Sequence, residues 1–429
     1  MTAAARAART LGWFFLERAT GFIQKLKLSN ADPDRHRRIL RSLEPGVYAL
    51  YVHMPFCHTP LCQFCCFVRY PYTRQAEQLY IRSLRRETEN LAATAEAADI
   101  RIVYIGGGTP TINIHDLVEY IDLLRSLYGH DIVVSTESSP LDINEESVKL
   151  LRQAGVTRLS IGVQALGDKR LREMGRLSHT VADSLRAVEE ARGRFKTLNI
   201  DMVWGIPSDT PRRVKEEALK ALSLGADQVT FYPLMPAPGI RRLLRSSLGG
   251  PWHPAEHDMY NEILNAATEK DYRPATPWCM NKEAKLIDEY VVEYDRFLAL
   301  GLSGIARAGG YMYVNTFTPS NYARLVTKHG FAARLAVKPS PEEDVLYHAL
   351  TMLFGLEWCP RTLVERYGPA ASHLASYVSA SLRLLGEKPG PDGCTRISRR
   401  ETLYALHVAQ RSLYMALNEL REWGMSRAV

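Results

Sequence analysis

Apolar and polar positions follow one repeated scheme between residues 47 and 232. Each β-branched or aromatic run is followed by turn residues and then by a segment whose apolar positions recur with helical period. The predicted strands are Val47–His53, Ile102–Ile105, Ile132–Ser135, Arg158–Ile161, Leu198–Val203 and Gln228–Tyr232. The helices predicted between them are Thr73–Ala95, Ile114–Tyr128, Asn144–Ala154, Thr180–Arg192 and Arg212–Leu224.

Strands that each feed a helix indicate parallel pairing with right-handed crossovers. The expected fold class is therefore α/β: a partial (βα)6 TIM-like barrel, followed by a smaller, mainly helical C-terminal domain. Helical segments of that domain are predicted at Glu342–Phe354, Ala370–Leu385 and Glu401–Glu422. The expected domains are an N-terminal helical extension (1–45), the partial barrel (46–240), a barrel-completing or substrate-covering region (241–335) and the C-terminal helical domain (336–429).

Polar or glycine-rich residues follow every predicted strand. A cluster of cysteines follows the first strand, and Gly106-Gly107-Gly108-Thr109-Pro110 follows the second. The later strands lead into Thr136-Glu137-Ser138, Gly162-Val163-Gln164, Asp201 to Pro207 and Tyr232-Pro233-Leu234. Because the carboxyl ends of the strands of an α/β barrel share the face that carries the active site, we expect the site on this rim.

The cysteines favour metal or redox chemistry over a disulfide framework. Four of the seven crowd together, at Cys57, Cys62, Cys65 and Cys66, whereas Cys279, Cys359 and Cys394 each stand alone. Three thiolates can hold three irons of a [4Fe–4S] cluster and leave the fourth iron open for a substrate or cofactor. A zinc site is the alternative, with His53, His58 or Cys66 as the fourth ligand.

The composition is that of an ordinary globular chain of 429 residues, of which 46% are hydrophobic and 24% charged. No run of ~18 apolar residues predicts a membrane span, and no secretory signal is recognisable, so a cytoplasmic location is expected. The net charge is +7, and the densest basic stretches are Arg35 to Arg41, Arg241 to Arg245 and Arg396 to Arg400. Such runs are typical of solvated faces, so we expect a small-molecule substrate and no nucleic-acid partner.

The N-terminal stretch from Leu11 to Leu28 mixes aromatic and basic residues. Trp13, Phe14, Phe15 and Phe22 lie among Arg18, Lys25 and Lys27. This composition is compatible with peripheral contact to a membrane surface. A helix packed against the barrel is the favoured alternative, because most amphipathic helices bury their apolar face in the protein.

Several motifs in the same order resemble the radical S-adenosylmethionine (SAM) superfamily. They are Tyr51-x-His53-x-Pro55-Phe56-Cys57, Cys62-x-Phe64-Cys65-x-Phe67 and the Gly106–Pro110 loop. Within the superfamily they are similar to the HemN-like branch, which includes oxygen-independent coproporphyrinogen III oxidases, HemW-type haem chaperones and radical methyltransferases. The resemblance runs from about Val47 to Tyr322 and implies Cys57, Cys62 and Cys65 as cluster ligands, with Cys66 a spare. One departure is that four residues, rather than the family's three, separate Cys57 from Cys62.

The resemblance also implies roles for individual residues. Those expected to contact SAM or a second cofactor are Tyr51, Phe64, Gly107, Gly108, Thr109, Glu137, Gln164, Arg176, Asp201, Pro233 and Ile305. Among them Tyr51, Glu137 and Asp201 are expected to take part in catalysis, and Gly108 and Thr109 are expected to contact a second SAM. Each also has a structural alternative: Glu137 as a helix cap, Gln164 as a barrel-internal hydrogen-bond partner, and Arg176 as a surface residue.

The implied activity is reductive cleavage of SAM at the cluster to a 5′-deoxyadenosyl radical, with an electron donor such as flavodoxin or ferredoxin. The glycine-rich turn predicted from Leu298 to Gly310 and the following Gly309–Phe317 stretch look most like the methyltransferase relatives. Methylation of an sp² carbon of an aromatic or tetrapyrrole-like acceptor, with a second SAM, is therefore the favoured reaction. Oxidative decarboxylation of the coproporphyrinogen oxidase type is the alternative, as is a HemW-type haem chaperone with Cys359-Pro360 as a haem thiolate.

Overall fold

The computed structural model describes residues 3–235, 253–283 and 294–427, with side chains from residue 15 onward. The basic stretch Arg241 to Arg245 lies outside the described residues. The helices are α1 Ala3–Lys27, α2 Pro33–Arg41, α3 Arg74–Thr94, α4 Ile114–Tyr128, α5 Glu145–Gln153, α6 Asp168–Glu173, α7 Val181–Ala191, α8 Pro211–Leu222, α9 Glu256–Glu269, α10 Pro319–His329, α11 Pro341–Phe354, α12 Pro360–Tyr367, α13 Ser372–Leu384 and α14 Arg400–Ser426.

The strands include all six that the sequence predicts. They are β1 Gly46–Met54, β2 Phe56–Cys57, β3 Tyr70–Pro71, β4 Ala98–Gly107, β5 Val133–Ser138, β6 Val156–Gln164, β7 Thr197–Trp204, β8 Gln228–Pro233, β9 Arg273–Pro274, β10 Cys279–Asn281, β11 Phe297–Leu300, β12 Ile305–Ala308, β13 Tyr311–Asn315, β14 Ala333–Val337, β15 Glu357–Trp358 and β16 Thr395–Arg396. Within the described ranges they confirm the α/β class and the order of the predicted strand–helix units.

Side-chain caps set the helix starts that the sequence indicates. Thr73 accepts from the Ala76 N–H before α3, and Asn113 accepts from the Asp116 N–H before α4. Asn144 and Thr180 form capping boxes before α5 and α7. Because a cap supplies the hydrogen bonds that the first helical turn lacks, these polar residues fix where each helix leaves its loop.

The central sheet is open, mostly parallel and longer than the six predicted strands. Its order is β14-β13-β12-β11-β1-β4-β5-β6-β7-β8-β10-β9. Strands β11, β1, β4, β5, β6, β7 and β8 are parallel to their neighbours in that order, and antiparallel strands extend both ends. The described strands therefore form a partial barrel whose two edges, β14 and β9, do not pair with each other.

The stretch predicted as one glycine-rich turn is instead a strand, a turn and a strand. Strand β11 pairs in parallel with β1, and β12 pairs antiparallel with both β11 and β13. Gly301 and Gly304 serve the connection between β11 and β12, and Gly309 and Gly310 form the turn between β12 and β13. Gly301 has φ +85°, and a Cβ there would lie 2.5 Å from the His53 carbonyl oxygen. The prediction was wrong because the short run Phe297–Leu300 shows no alternation that marks a strand.

Two cysteines expected to stand alone are paired. Cys359 and Cys394 form a disulfide, with their Cα atoms 4.3 Å apart. They flank the two-stranded ribbon in which β15 runs antiparallel to β16, with Trp358 opposite Thr395. The ribbon brings the two thiols together although they lie 35 residues apart in the sequence. Sequence spacing alone does not reveal this pairing.

The N-terminal helix packs against the last helix of the chain. Ile23 and Leu26 are buried with Phe317 and Leu420, and Phe15 packs beside a cluster that includes Ala409. This arrangement is the packed-helix alternative of the sequence analysis; the side chains of Trp13 and Phe14 lie outside the described residues. Among the helices of the described ranges, none is long and apolar enough to span a bilayer.

The C-terminal helix is fixed to the barrel through a buried ionic network. Glu256 of α9 accepts hydrogen bonds from His407 Nε2 (3.0 Å) and Arg411 Nη1 (2.6 Å), both on α14. Burial opposes the charge on Glu256, but Arg411 and His407 outweigh burial and lower its pKa to about 2. Arg411 also donates to the Leu234 carbonyl at the end of β8 (2.9 Å). The network therefore places α14 beside the carboxyl rim of the sheet.

The packing of α1 predicts a clear contrast between two nearby leucines. Leu26 is 0% exposed and Leu28 is 86% exposed. Leu26→Ala should lower the free energy of unfolding by about 2–5 kcal/mol, because it removes buried methyl groups and leaves a cavity. Leu28→Ala should change it by less than about 0.5 kcal/mol. Urea unfolding of both variants tests this; equal effects would mean that α1 does not pack in solution as it does here.

Candidate active site at the carboxyl rim

The clustered cysteines lie on the loop that leaves β1 and β2. Cys57, Cys62, Cys65 and Cys66 all line one cavity at the carboxyl rim. Arg69 holds the second half of this loop: its guanidinium donates to the carbonyls of Cys65 (2.9 Å), Phe67 (3.1 Å) and Cys62 (2.5 Å). These three bonds fix the backbone on which the sulfurs are mounted.

The first half of the loop is held from the turn that follows β5. His58 Nε2 lies 2.7 Å from Asp142 Oδ1, and Asp142 belongs to a short 3₁₀ turn that follows β5. The bond to Asp142 raises the pKa of His58, although burial acts in the opposite direction. His58 is also the first of the four residues between Cys57 and Cys62. The four-residue spacing between Cys57 and Cys62 is therefore accommodated by a loop that His58 anchors to Asp142.

The sulfurs lie in a partly buried, positively charged setting. Arg176 Nη1 is 2.9 Å from Cys62 Sγ, and Thr109 Oγ1 is 3.7 Å from Cys57 Sγ. Without a metal, burial raises the pKa of the Cys57 thiol and raises that of Cys65 to about 12. A metal binds the thiolate form, so metal binding here would release protons and replace this desolvation with iron–sulfur bonds.

This donor set fits a [4Fe–4S] cluster better than a single zinc ion. Within the described ranges, the one group of three ligand atoms that all lie within 4.8 Å of one another is Glu357, Cys359 and Cys394, and its two sulfurs are joined in the disulfide. The three loop sulfurs are thus spread more widely than the about 3.8 Å that tetrahedral zinc–sulfur bonds impose. Cys66 lines the same cavity, and the three assigned ligands Cys57, Cys62 and Cys65 would leave one iron of such a cluster open.

The Gly106–Gly108 loop touches the cysteine loop along its backbone. The Gly108 N–H donates to the Met54 carbonyl and the Thr109 N–H to the Phe56 carbonyl, both at 2.7 Å. A Cβ on Gly107 would lie 2.5 Å from the His53 ring, and one on Gly108 would lie 2.5 Å from the Phe56 oxygen. Gly107 also has φ +115°, which disfavours any side chain. Both positions therefore require glycine for the two loops to meet.

Two carboxylates form the deep wall of the cavity. Glu137, near the end of β5, accepts from the Tyr104 hydroxyl (2.8 Å) and from the Gly107 N–H (3.0 Å). Asp201, on β7, accepts from Ser160 and from Asn199, each at 2.8 Å. Burial and the adjacent Asp201 raise the pKa of Glu137 to about 7, and burial raises that of Asp201. The pair is therefore poised to respond to a cationic ligand.

Most of the residues that the resemblance singles out line this one cavity. They are Cys57, Cys62, Phe64, Cys65, Gly107, Gly108, Thr109, Glu137, Gln164, Arg176, Asp201 and Pro233. Gln164 stands at φ +69° where the register between β6 and β7 shifts. A non-glycine residue held in this conformation is typical of functional sites.

Tyr51 and Ile305 do not line the cavity. His53 Nε2 faces the Val68 carbonyl at 2.8 Å, so Nε2 carries the proton of this neutral imidazole; burial lowers the pKa of His53 to about 4. His53 Nδ1 is then an acceptor, and the Tyr51 hydroxyl donates to it at 2.9 Å. Ile305 packs in the cluster formed by α1, α14 and β13. Neither residue is among those that line the described cavity, and their contacts with a cofactor stay predictions.

The cavity also includes residues that the sequence analysis does not single out. They are Phe67, Arg69, Tyr232, Leu234, Met235 and Tyr414. Tyr414 comes from α14, far along the chain, with its ring 5.2 Å from that of Trp278. Further along the same helix, the Arg421 guanidinium lies 4.6 Å from the centre of the Phe67 ring. The helical period of α14 was a visible signal, but the sequence does not show which face meets the cavity.

Comparison with known proteins finds a matching superfamily, similar sequences and a similar fold. Residues 51–221 match the sequence model of the Radical SAM superfamily. The chain is 27% identical over 352 residues to the haem chaperone HemW of Bacillus subtilis, covering 79% of this chain and 91% of that protein. It is 31% identical to the oxygen-independent coproporphyrinogen III oxidase of Paracoccus denitrificans, over 43% and 42% of the two chains. The fold is similar to that of coproporphyrinogen III oxidase HemN from Escherichia coli, with a TM-score of 0.72 at 20% identity over 88% and 93% of the chains.

The cysteine assignment predicts four distinguishable variants. Cys57→Ser, Cys62→Ser and Cys65→Ser should each abolish the brown colour and most of the iron of protein reconstituted anaerobically, which otherwise should hold about four irons and four sulfides. Cys66→Ser is the matched control and should keep both. Iron and sulfide assays with electron paramagnetic resonance provide the measurement. Retention of the cluster by Cys57→Ser together with its loss in Cys66→Ser would contradict the assignment.

The contact between the two loops predicts a strict need for Gly108. Gly108→Ala should lower the free energy of unfolding by about 1–3 kcal/mol, because its Cβ forces the loops apart and breaks the two backbone hydrogen bonds. Gly21→Ala is a suitable control, since a Cβ at Gly21 has no heavy atom within 4 Å. Urea unfolding should show no loss of stability for the control. An unchanged free energy of unfolding in Gly108→Ala would show that the loops do not touch in solution.

Proposed function

Because residues 51–221 form a radical SAM domain and the chain belongs to the HemN-like branch of that superfamily, we propose that it binds a [4Fe–4S] cluster through Cys57, Cys62 and Cys65 and cleaves SAM reductively. The observation that carries the proposal is the meeting of three elements in one cavity. These are the cysteine loop, the glycine loop and the Glu137–Asp201 pair.

When bound, the cluster supplies an open iron and one electron for breaking the carbon–sulfur bond of SAM. The chain's own residues provide the surroundings. Arg69 and His58 hold the cysteine loop from its two ends. The bare backbone of the glycine loop lets a ligand approach closely, and the rim encloses the reactants so that positioning dominates the chemistry.

The Glu137–Asp201 pair suits the charge of SAM. SAM carries a sulfonium and an ammonium group, so a nearby cation stabilises the ionised form of a carboxyl whose pKa is about 7. The Tyr104 hydroxyl and the Gly107 N–H orient the Glu137 carboxylate. Arg176, beside Cys62, supplies the opposite charge that the SAM carboxylate needs. The cavity thus offers complementary charges at both ends of the amino-acid part of SAM.

For the acceptor, the chemistry of the cavity supports a planar, aromatic molecule. Phe64, Phe67, Tyr232 and Tyr414 contribute aromatic rings to the lining, and Arg69 is a cationic group among them. Stacking on rings and pairing with a guanidinium are the interactions that an aromatic or tetrapyrrole-like acceptor with carboxylate groups would use. Two of the relatives, a haem chaperone and a coproporphyrinogen oxidase, are named for tetrapyrroles, which supports this class of acceptor.

We further propose methylation of an sp² carbon of this acceptor, at the expense of a second SAM. Its support is the Gly309–Phe317 stretch and the position of Gly108 and Thr109 in the cavity lining. In the fold, Gly309–Phe317 covers the turn after β12, strand β13 and the residues that follow it. Because Ile305 packs away from the cavity, any second SAM would be held by the glycine loop rather than by this hairpin.

A HemW-like role in haem binding is the second candidate, and the long match to the Bacillus protein favours it. Cys359 is a poor haem ligand in the present state because it is bonded to Cys394. Oxidative decarboxylation, as in the coproporphyrinogen oxidases, is the other alternative. For either enzymatic reaction we propose a small one-electron donor such as flavodoxin or ferredoxin.

The three candidate functions predict different outcomes of one assay. Methyl transfer should yield one 5′-deoxyadenosine and one S-adenosylhomocysteine per turnover, with label from methyl-deuterated SAM in the product. Decarboxylation should yield carbon dioxide without S-adenosylhomocysteine, and a haem chaperone should give a haem absorbance change without either. Reconstituted protein, dithionite and a panel of tetrapyrroles and heteroaromatic acids, followed by mass spectrometry, provide the measurement. Carbon dioxide without S-adenosylhomocysteine would overturn methyl transfer.

A further inference from the structure

The interior of the sheet beneath the cavity is polar across five strands. The side chains of this layer, all buried except the half-buried Asp201, come from positions that face one another in register: Ser135 of β5, Arg158 and Ser160 of β6, Asn199 and Asp201 of β7, Gln228 and Thr230 of β8, and Cys279 and Asn281 of β10. In α/β barrels this layer is normally filled by bulky branched residues. Burying so many polar groups costs free energy unless each is hydrogen-bonded. A polar layer at this position therefore indicates a role beyond packing.

Hydrogen bonds connect this layer to the acid pair above it. Asn199 donates to Asp201 and to Ser160, and Thr230 donates to the Asn199 amide oxygen at 3.0 Å. Ser160 donates to the second oxygen of Asp201. The carboxylate of Asp201 is therefore anchored through both oxygens to neutral groups, which fix its direction but do not balance its charge.

Arg158 brings a positive charge into the same layer. It is 9% exposed and donates to Ser135 Oγ (3.0 Å) and to Gln228 Oε1 (2.9 Å). Ser135 is its register partner on β5, two residues before Glu137 and on the same face of the strand. Arg158 therefore pairs with the residue two positions before Glu137. On its own strand it lies two positions before Ser160, which contacts Asp201.

We propose that Arg158 is a positioning residue: a buried counter-charge that favours the ionised form of Glu137 and Asp201 at the wall of the cavity. The proposal deepens the proposed function, because the acid pair is part of the SAM site described above. The other ionisable groups around the pair are Tyr104 of β4, Tyr232 of β8 and Arg176 beyond α6. Arg176 approaches from the cavity side, where it also meets Cys62. Arg158 is the charge that reaches the pair from below.

A purely structural role for Arg158 predicts a different dependence of stability on pH. If the guanidinium served only to satisfy Ser135 and Gln228, its loss would weaken the fold equally at every pH. If it balances the acids, its loss would matter most where they are ionised. The charge of Arg158 does act on both acids, because it opposes the burial that raises the pKa values of Glu137 and Asp201.

The test follows the melting temperature of the ligand-free chain between pH 5 and pH 9. A carboxyl whose pKa is raised by folding stabilises the folded state below its unfolded pKa, and this stabilisation is lost as the pH rises through the folded pKa. In the wild type the loss from Glu137 should be complete a little above pH 7. In Arg158→Met it should extend to a higher pH than in the wild type, because an attracting charge is gone. Arg158→Lys should restore the wild-type profile.

Two controls separate charge from packing. Gln228→Met removes the principal hydrogen-bond partner of Arg158 without changing any charge, so it should lower the melting temperature by the same amount at every pH. Neutralising both acids in Glu137→Gln/Asp201→Asn should remove the pH-dependent difference between chains with and without the Arg158→Met substitution. If Arg158→Met does not fold, adding the two neutral substitutions should recover folding, whereas a structural role predicts that it would not.

An equal effect of Arg158→Met at every pH, or a pH-dependent difference that persists after both acids are neutralised, would overturn the proposal. Because SAM and the cluster are absent from the experiment, these outcomes are independent of the proposed reaction. Failure of the SAM-cleavage assay with a normal Arg158 pH profile would count against the proposed function alone.

Discussion

The direct contact between two stretches of backbone at the rim is the constraint on which the site depends. The chain after β4 lies against the chain after β1, with its N–H groups bonded to the carbonyls of Met54 and Phe56. This approach leaves no room for side chains at Gly107 and Gly108. It sets the position of Thr109 beside Cys57 and delivers the Gly107 N–H to Glu137. One steric requirement thus aligns the cysteine loop, the glycine loop and the deep carboxylate.

Charge is arranged in layers around this contact. Guanidinium groups lie at the cysteine loop, carboxylates form the wall below, and another guanidinium lies beneath them in the sheet. Alternating signs let charges be buried that would each be costly alone. The apolar packing that holds the strands together is displaced to the outer face of the sheet, where Val134, Leu159 and Ile200 are fully buried. The fold therefore reverses the usual arrangement of a filled, apolar barrel interior.

Periodicity and turn residues were sufficient to predict the six central strands and the longer helices that join them, because both signals are local; the short helix α6 was not predicted. The rim site could be predicted because polar residues directly follow each strand. The strands β11 to β14, the pairing of Cys359 with Cys394 and the place of Tyr414 could not be predicted. Each depends on contacts between segments far apart in the sequence, and short strands such as Phe297–Leu300 show no period. Tyr51 shows the converse: its motif is recognisable, yet its hydroxyl is turned to His53.

The packing of α1 on α14 sets the order in which the molecule can be completed. Helix α1 is synthesised well before α14, which covers Leu26 and contributes Tyr414 to the cavity. At typical synthesis rates the interval is on the order of tens of seconds. During that time the residues of the barrel strands and of the cysteine loop have been synthesised, while the helix that supplies one wall of the cavity has not. Until α14 docks, the cysteine thiols therefore face an open side that the completed fold closes.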